Sequence, residues 1–189
     1  MTFSAAESEL DARPEQFIQA ARDLATENGS AAFTVAQVTA RAGLSLKAFY
    51  RCFRSKDELL LALLAADSRI GAELLAERIG GRRGDDGVRA YVTELFEMLS
   101  LPGASGYAGV LVREYRRLSE HHDDGLHAAL APLLDLLARN LNSSQPRRDA
   151  SIMFGVLLGG IHDVVLQRAD DPHELADHLY AFCMKGVGS

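Results

Sequence analysis

Cysteine is scarce in this chain, and a long uncharged run is absent. Its 189 residues include two cysteines. Cys52 and Cys183 lie far apart and outside any Cys-x-x-Cys or Cys/His spacing, which excludes a disulfide framework and a zinc module. The uncharged run from Ala150 to Ile161 is shorter than the roughly 18 to 20 apolar residues of a membrane span. Because the first residues also show no basic and apolar leader pattern, we expect a cytoplasmic protein.

Strand signals are also nearly absent, since apolar and polar residues rarely alternate and no Asn-Gly or Asp-Gly turn joins β-branched runs. The apolar periodicity is helical instead and predicts an all-α fold of about nine helices. Four of them cover Pro14 to Asn28, Val35 to Ala42, a short segment after Ser45, and a long segment after Ser55 that ends at Gly80. The other five lie near Val88 to Leu99, Tyr107 to Leu118, Leu126 to Leu141, Arg147 to Leu166 and His173 to Val187.

The second and third predicted helices have clear start and stop signals. Thr34 and Gln37 have the spacing of a capping box, and Gly43 ends the helix that they begin. Ser45 then caps the short third helix, so a helix, a tight glycine turn and a second helix fall within about twenty residues. This pattern predicts a helix-turn-helix, whose second helix can enter the major groove of DNA.

The net charge of −6 argues against a nucleic-acid binder only if it is spread evenly. Residues 34–56 contain five Lys or Arg and no Asp or Glu, a local charge of +5 that leaves −11 on the remainder. A basic patch on an acidic chain indicates a localised anionic partner. A solvated charged face is the alternative interpretation.

The start of the third helix carries the candidate base contacts. Lys47 can donate to guanine or phosphate, Leu46 and Ala48 can touch thymine methyl groups, and Tyr50 and Arg51 lie where a phosphate strand would pass. Another cation, Lys56, lies in the first turn of the fourth helix, where it opposes the helix dipole unless an anion such as a DNA phosphate joins it. A pair between that lysine and a neighbour such as Glu58 is the alternative.

These residues resemble a known family. The run Phe33-Thr34-Val35-Ala36-Gln37-Val38, then Ala42-Gly43-Leu44-Ser45, Phe49-Tyr50, Phe53, Lys56 and Leu59 is similar to the N-terminal DNA-binding domain of TetR-type transcriptional regulators. The resemblance extends from Pro14 to Leu63. It implies that helices 1 to 3 bind DNA and that a larger C-terminal helical domain dimerises and binds a small effector.

By the same resemblance, phosphate contacts fall on Thr34, Ser45, Tyr50 and Lys56, and base contacts on Lys47 and Ala48. Four positions depart from the family pattern, namely Leu46, Lys47, Ala48 and the pair Arg51-Cys52, so the operator sequence stays open. We interpret Cys52 as a small packing residue rather than a redox sensor. The predicted DNA-binding set is Thr34, Arg41, Ser45, Leu46, Lys47, Ala48, Tyr50, Arg51 and Lys56.

The predicted domains are a flexible N-terminal arm at 1–13, a helix-turn-helix domain at 14–58 and a regulatory, dimerising domain at 59–189. Helix 8 is apolar on nearly every face, so we expect one side in its own core and the other against a second subunit. Together with helix 9 it predicts a two-fold four-helix interface. The predicted interface residues are Gly155, Gly159, His162, Ala176 and Tyr180. A purely intramolecular core is the alternative.

A pocket between helices 4 to 8 would allow a ligand to tilt helix 4 and the DNA-binding domain with it. Pro132 is expected to kink or restart helix 7. The predicted lining residues, each with an ordinary core or surface role as the alternative, are Tyr91, Phe96, Tyr107, Arg113, Tyr115, Met153 and Phe154.

The sequence therefore predicts a homodimeric repressor that binds a palindromic operator and is released by a small-molecule effector, without a cofactor, metal or enzymatic activity. One rival is an all-α enzyme or metal-binding protein that uses His121, His122, Asp123 and Asp124, although a solvated turn also accounts for that cluster. A second rival is a helical interaction protein that does not bind DNA.

Overall fold

The computed structural model describes residues 14–101, 104–165 and 171–187. Within these ranges every regular element is an α-helix, and there are nine of them, which confirms the predicted fold class. The predicted arm at 1–13, the turn at Pro102-Gly103 and the predicted end of helix 8 at Leu166 lie outside the described residues. The helices are α1 (Pro14–Asn28), α2 (Val35–Ala42), α3 (Leu46–Cys52), α4 (Lys56–Ile79), α5 (Gly84–Ser100), α6 (Ala104–Ser119), α7 (Asp123–Ala138), α8 (Pro146–Val165) and α9 (Pro172–Val187).

The helix-turn-helix forms as its capping signals predict. Thr34 and Gln37 close a reciprocal capping box at the start of α2, and the Ser45 side chain accepts from the Ala48 amide at the start of α3. Between the two helices, Gly43 has φ +67°, a left-handed conformation that costs glycine little. Its amide and that of Leu44 bond back to carbonyls of α2, so the turn is tied to the helix that it ends.

The spacing of Ser55 and Glu58 predicts a second capping box, and the start of α4 differs from it in detail. Ser55 does cap the helix by accepting from the Glu58 amide at 3.1 Å. The Glu58 carboxylate, however, accepts from the backbone amide of Arg54, one residue before the cap, at 2.5 Å. Both bonds still satisfy backbone donors where the chain enters α4.

Three aromatic side chains hold α1 and α3 together. The Phe17 ring meets those of Phe49 and Phe53 edge-on, with centroid distances of 5.4 and 6.2 Å. All three residues are buried, and Val38 of α2 adds to the same core. Since aromatic pairs prefer edge-to-face contacts, this cluster fixes the orientation of α3 on its support.

The 24-residue helix α4 runs without a break across the predicted domain boundary between residues 58 and 59. Leu59 and Leu63 are buried near its start, and Leu75 and Ile79 are buried near its end. It packs against α1, α5, α6 and α7, and its most extensive packing is with α7. The division at 58/59 stays a prediction, because the two parts of the chain share this helix.

Helices α5, α6 and α7 each begin three or four residues earlier than the apolar periodicity predicts. The sequence predicts a linker at residues 82–86, yet α5 begins at Gly84 and has Asp85 and Asp86 in its first turn. Likewise α7 begins at Asp123 and continues through Pro132, so the predicted restart does not occur and the predicted kink stays a prediction. Acidic side chains at a helix start are stabilised by the helix dipole, a signal that apolar periodicity alone misses.

The last two helices have an inner and an outer face. Met153, Phe154, Leu157 and Ile161 of α8 are buried, whereas Ile152 on the other side is 61% exposed. A Cβ placed on Gly160 would collide with Leu179 of α9, so a glycine is needed for that close approach. Within the described residues, none of the helices is long and apolar enough to cross a membrane.

The predicted interface role of Ala176 needs correction, whereas that of Tyr180 stays a prediction. Ala176 is 2% exposed and lies in the chain's own core. Tyr180 is half-buried against α5, with its ring 4.2 Å from the Arg89 guanidinium carbon and its hydroxyl 3.5 Å from the Asp85 carbonyl oxygen. The side of α9 that carries Ala176 and Tyr180 therefore packs toward α5, because an amphipathic helix buries its apolar face against a neighbouring helix.

Candidate nucleic-acid interface and effector cavity

The short helix α3 separates its residues into an inward and an outward face. Phe49 and Ala48 point into the core, with 0% and 1% of their surfaces exposed. Leu46 and Tyr50 are 51% and 56% exposed, and Lys47 and Arg51 are exposed beside them. The outward face of α3 thus combines two cations with two apolar side chains, the chemistry that base edges and phosphates require.

One predicted base contact is wrong. Ala48 is buried, and its amide donates to Ser45 Oγ at 3.1 Å. Its methyl group is therefore not available to a thymine methyl group. Leu46, which is exposed, is the apolar side chain that α3 offers for such a contact.

Thr34 and Ser45 lie at the starts of α2 and α3, where both hydroxyl groups act as helix caps. Their predicted phosphate contacts stay predictions. Lys47 has no hydrogen-bonding or ionic partner among the described residues, whereas Arg51 has one. The sequence-based set omitted Arg54, an exposed cation that follows α3; its place in the +5 segment was the available signal.

Arg41 is held within the protein by a fork-like pair with Glu27 of α1. The Arg41 Nη1 and Nη2 atoms lie 2.7 and 2.6 Å from the two carboxylate oxygens of Glu27. The hydrogen bond from Arg41 holds the pKa of Glu27 below its usual value. The guanidinium therefore ties α2 to α1, a role that was not predicted for this cation.

Lys56 points inward rather than along the outer surface. Its Nζ donates to the Ala31 carbonyl oxygen at 2.5 Å and lies 4.8 Å from the centroid of the Phe33 ring. Burial lowers the pKa of this lysine, and the nearby Arg117 adds to that effect. The pair with Glu58 considered as the alternative does not form, and the ammonium instead fastens α4 to the segment between α1 and α2.

The neighbouring carboxylate anchors α4 to the C-terminal helices. Arg117 of α6 donates to both oxygens of Asp57, at 2.5 and 3.2 Å, and His122 Nε2 lies 3.3 Å from Asp57 Oδ2. The hydrogen bond from Arg117 is the main cause of a lowered pKa at Asp57. His122 thus belongs to an ion-pair junction, and no three metal-ligating side chains converge within the part of the chain that the structure describes.

A small cavity lies among α4, α5, α6, α7 and α8. Its volume is about 130 Å³. Two of the seven predicted lining residues, Tyr115 and Phe154, border it. Apart from Asp67, Ser68 and Tyr115, its walls are aliphatic or phenyl side chains: Leu64, Leu95, Leu99, Ala108, Leu111, Val112, Leu130, Leu133, Phe154, Leu158 and Ile161.

The other five predicted lining residues have different positions. Tyr91 is fully buried, and its hydroxyl donates to the Leu133 carbonyl oxygen at 3.3 Å. Phe96 and Met153 are core residues, and the exposed Arg113 donates to the Gly29 carbonyl oxygen at 2.7 Å. These side chains pack or connect helices and do not line the cavity, because sequence periodicity distinguishes buried from exposed positions and not one buried wall from another.

The one carboxylate on the cavity wall is Asp67 of α4. Arg22 of α1 donates to its Oδ1 through Nη2 at 2.6 Å and Nε at 3.1 Å. Tyr107 of α6, the remaining predicted lining residue, donates its hydroxyl to Oδ2 at 2.5 Å. Burial is the main cause of a strongly raised pKa at Tyr107, and the charge of Asp67 adds to it, so this hydroxyl stays a neutral donor.

This architecture, an N-terminal helix-turn-helix with an outward-facing second helix on a helical body, is that of a DNA-binding transcription regulator. Residues 17–63 match the family model of bacterial regulatory proteins of the tetR family. This part of the chain is therefore similar to the DNA-binding domain of that family. No curated protein matches the chain by sequence.

Solved structures share the fold over nearly the whole chain. A TetR transcriptional regulator from Rhodococcus sp. RHA1 has a TM-score of 0.75 at 18% identity, over 96% of this chain and 98% of that one. FadR from Bacillus subtilis, solved with stearoyl-CoA, has a TM-score of 0.68 at 19% identity, over 93% and 100%. RolR, solved with resorcinol, has a TM-score of 0.63 at 18% identity, over 97% and 90%.

The inward position of Lys56 generates a stability prediction. Lys56→Ala removes a charged hydrogen bond and a cation–π contact, and we expect the free energy of unfolding to fall by about 1–3 kcal/mol. Urea denaturation of the DNA-free protein measures this change. The control is Lys47→Ala, which removes an exposed lysine without a partner among the described residues and should change stability by less than about 0.5 kcal/mol. Equal effects of the two substitutions would contradict the structural role of Lys56.

Proposed function

We propose that the protein is a cytoplasmic, homodimeric repressor that binds a two-fold DNA operator through α3 and releases it when a small effector fills the cavity. In this proposal residues 14–58 bind DNA and residues 59–189 dimerise and sense the effector. The observation that carries the proposal is the outward face of α3, where Lys47 and Arg51 stand beside the exposed Leu46 and Tyr50.

Charge supports α3 as the DNA-contacting element. The +5 of residues 34–56 is concentrated on a chain of net charge −6, so the acidic body is repelled by DNA while this end is attracted. Two of the five cations, Arg41 and Lys56, are engaged within the protein. Lys47, Arg51 and Arg54 are exposed, so their charges can reach phosphates and bases.

The DNA contacts are tested with a duplex that the wild-type protein recovers from a random pool. Lys47→Ala should weaken binding roughly tenfold or more, because a lysine at the start of a recognition helix contacts a base or a phosphate. Arg51→Ala should weaken binding to all sequences and lower the salt dependence of the binding constant by about one phosphate contact per subunit. Fluorescence anisotropy over a range of salt concentrations measures both effects.

The matched control is Arg69→Ala on α4. This arginine is equally a surface cation but pairs with Glu73 away from α3, so its removal should leave DNA affinity and salt dependence unchanged. If all three variants have the DNA affinity and salt dependence of the wild type, α3 is not the helix that contacts DNA.

An exposed apolar surface on α8 and α9 supports the homodimer. Ile152 and Phe182 are 61% and 64% exposed and border a groove of about 470 Å³. Gly155 and Gly159 lie on the same side of α8, and a Cβ at either position would meet no atom within 4 Å. Large exposed apolar side chains beside small residues favour close packing of a second copy. His162, also in the predicted interface, is half-buried, and its place there stays a proposal.

The dimer is tested by placing a charge on this surface. Phe182→Glu should convert a dimer into a folded monomer, because the side chain is exposed within one chain but buried in the proposed interface. Sedimentation velocity measures the mass, and circular dichroism confirms the fold. The control is Leu74→Glu, an exposed apolar residue on α4, which should stay dimeric. A monomeric wild type, or an unchanged dimer of Phe182→Glu, would contradict the proposal.

The cavity supports a small effector. It shares α4 with the DNA-binding part of the chain, so a ligand that favours one position of α4 biases the position of α3. The solved relatives include complexes with a long acyl thioester and with a single-ring diol. A cavity of about 130 Å³ is closer in size to the single-ring diol than to the long acyl thioester.

A further inference from the structure

The size of the cavity limits its ligand to about one ring. Its volume is about 130 Å³. An engineered apolar cavity of about 150 Å³ in another protein binds benzene, which gives the scale for a ring-sized guest. Most of the wall is aliphatic or aromatic, so the body of the ligand must be apolar.

The charges on the cavity wall determine whether the polar group of that ligand is charged or neutral. Among the described residues that line the cavity, Asp67 is the only charged one, and its charge is already balanced by Arg22, whose Nη2 lies 2.6 Å from Oδ1. A cation in the cavity would be a second, uncompensated charge in apolar surroundings, and an anion would face the carboxylate. A neutral donor avoids both costs.

The Asp67 carboxylate can also accept a further hydrogen bond from a ligand. A carboxylate oxygen can accept two hydrogen bonds. From the described residues, Oδ2 of Asp67 receives one, which comes from the Tyr107 hydroxyl at 2.5 Å. A hydroxyl group on the ligand can therefore donate to this oxygen without breaking the ion pair.

On this basis, and resting on the proposed ligand response, we propose that the cavity binds a neutral single-ring molecule whose hydroxyl donates to Asp67, and that Asp67 transmits occupancy to α1 through Arg22. The link follows from position. Asp67 is on the cavity wall, whereas Arg22 belongs to α1, which packs on α3 through Phe17. A new donor on the carboxylate weakens and redirects the bonds from Arg22, and α1 shifts relative to α4.

The ligand class is tested by calorimetry of the full chain with four probes: phenol, toluene, benzylammonium and benzoate. Phenol should bind about tenfold more tightly than toluene, since a hydrogen bond to a charged acceptor contributes about that much, and both ions should bind more weakly than phenol. Equal affinity for phenol and toluene, or a preference for either ion, would overturn the ligand class.

Two variants assign the preference to Asp67. Asp67→Asn should reduce the preference for phenol over toluene to about threefold or less, because the acceptor loses its charge. Tyr107→Phe removes the internal donor to Oδ2, so phenol affinity should rise while toluene affinity stays constant. If Asp67→Asn does not fold, Tyr107→Phe decides alone, and an unchanged phenol preference in it overturns the assignment.

The link to α1 is tested by measuring DNA affinity with and without saturating phenol. Phenol should lower DNA affinity in the wild type and in the control Arg69→Gln, and should have little effect in Arg22→Gln. An equal effect in all three proteins overturns the link.

The proposed function fails by a different result. If the wild type recovers no DNA sequence from the random pool, the proposal that the protein binds DNA is wrong, whatever the calorimetry shows.

Discussion

The packing of α4 is the constraint on which the rest of the structure depends. This helix packs against α1 and most extensively against α7. Leu59 and Leu63 near its start and Leu75 and Ile79 near its end are buried. Because a helix of 24 residues is a stiff rod about 36 Å long, a displacement at one end is carried to the other. The helix-turn-helix and the helical body therefore cannot move independently of it.

Three polar junctions fix the position of this rod. Lys56 attaches its start to the Ala31 carbonyl group, and Asp57 attaches the same turn to Arg117 of α6. Three turns further on, Asp67 attaches it to Arg22 of α1 and Tyr107 of α6. The bonds of Lys56 and Asp67 are partly buried, so they contribute more than those of a surface pair, whereas the bonds between Asp57 and Arg117 are exposed. The third lies on the wall of the cavity in which we propose that the effector binds.

Local signals account for what the sequence predicted correctly. Thr34, Gln37, Gly43 and Ser45 act on neighbouring backbone groups, so their spacing alone predicts the turn between α2 and α3. The exposed pair of Leu46 and Lys47 follows from the same short helix. Ala48 was misjudged because one residue along a helix turns a side chain by about 100°, enough to move it from the outer face into the core.

Long-range partners account for what could not be predicted. Arg41 meets Glu27, Lys56 meets Ala31 and Tyr107 meets Asp67 across separations that no local pattern encodes. The same holds for the cavity: Tyr91, Phe96 and Met153 are as apolar and as periodic as Phe154, yet only Phe154 borders the empty space. Which side of a buried side chain faces a void depends on how five helices pack, and the sequence of each helix does not specify that.

The central claim is that two copies of α3 read DNA together, and selection of bound duplexes from a random pool tests it most directly. Two-fold symmetric subunits place two recognition helices on one face of DNA, about one helical turn or more apart. We therefore expect the wild-type protein to enrich inverted half-sites at a fixed spacing, and Lys47→Ala to lose that enrichment. Failure of the wild type to enrich any sequence, or enrichment of a site without two-fold symmetry, would contradict the account.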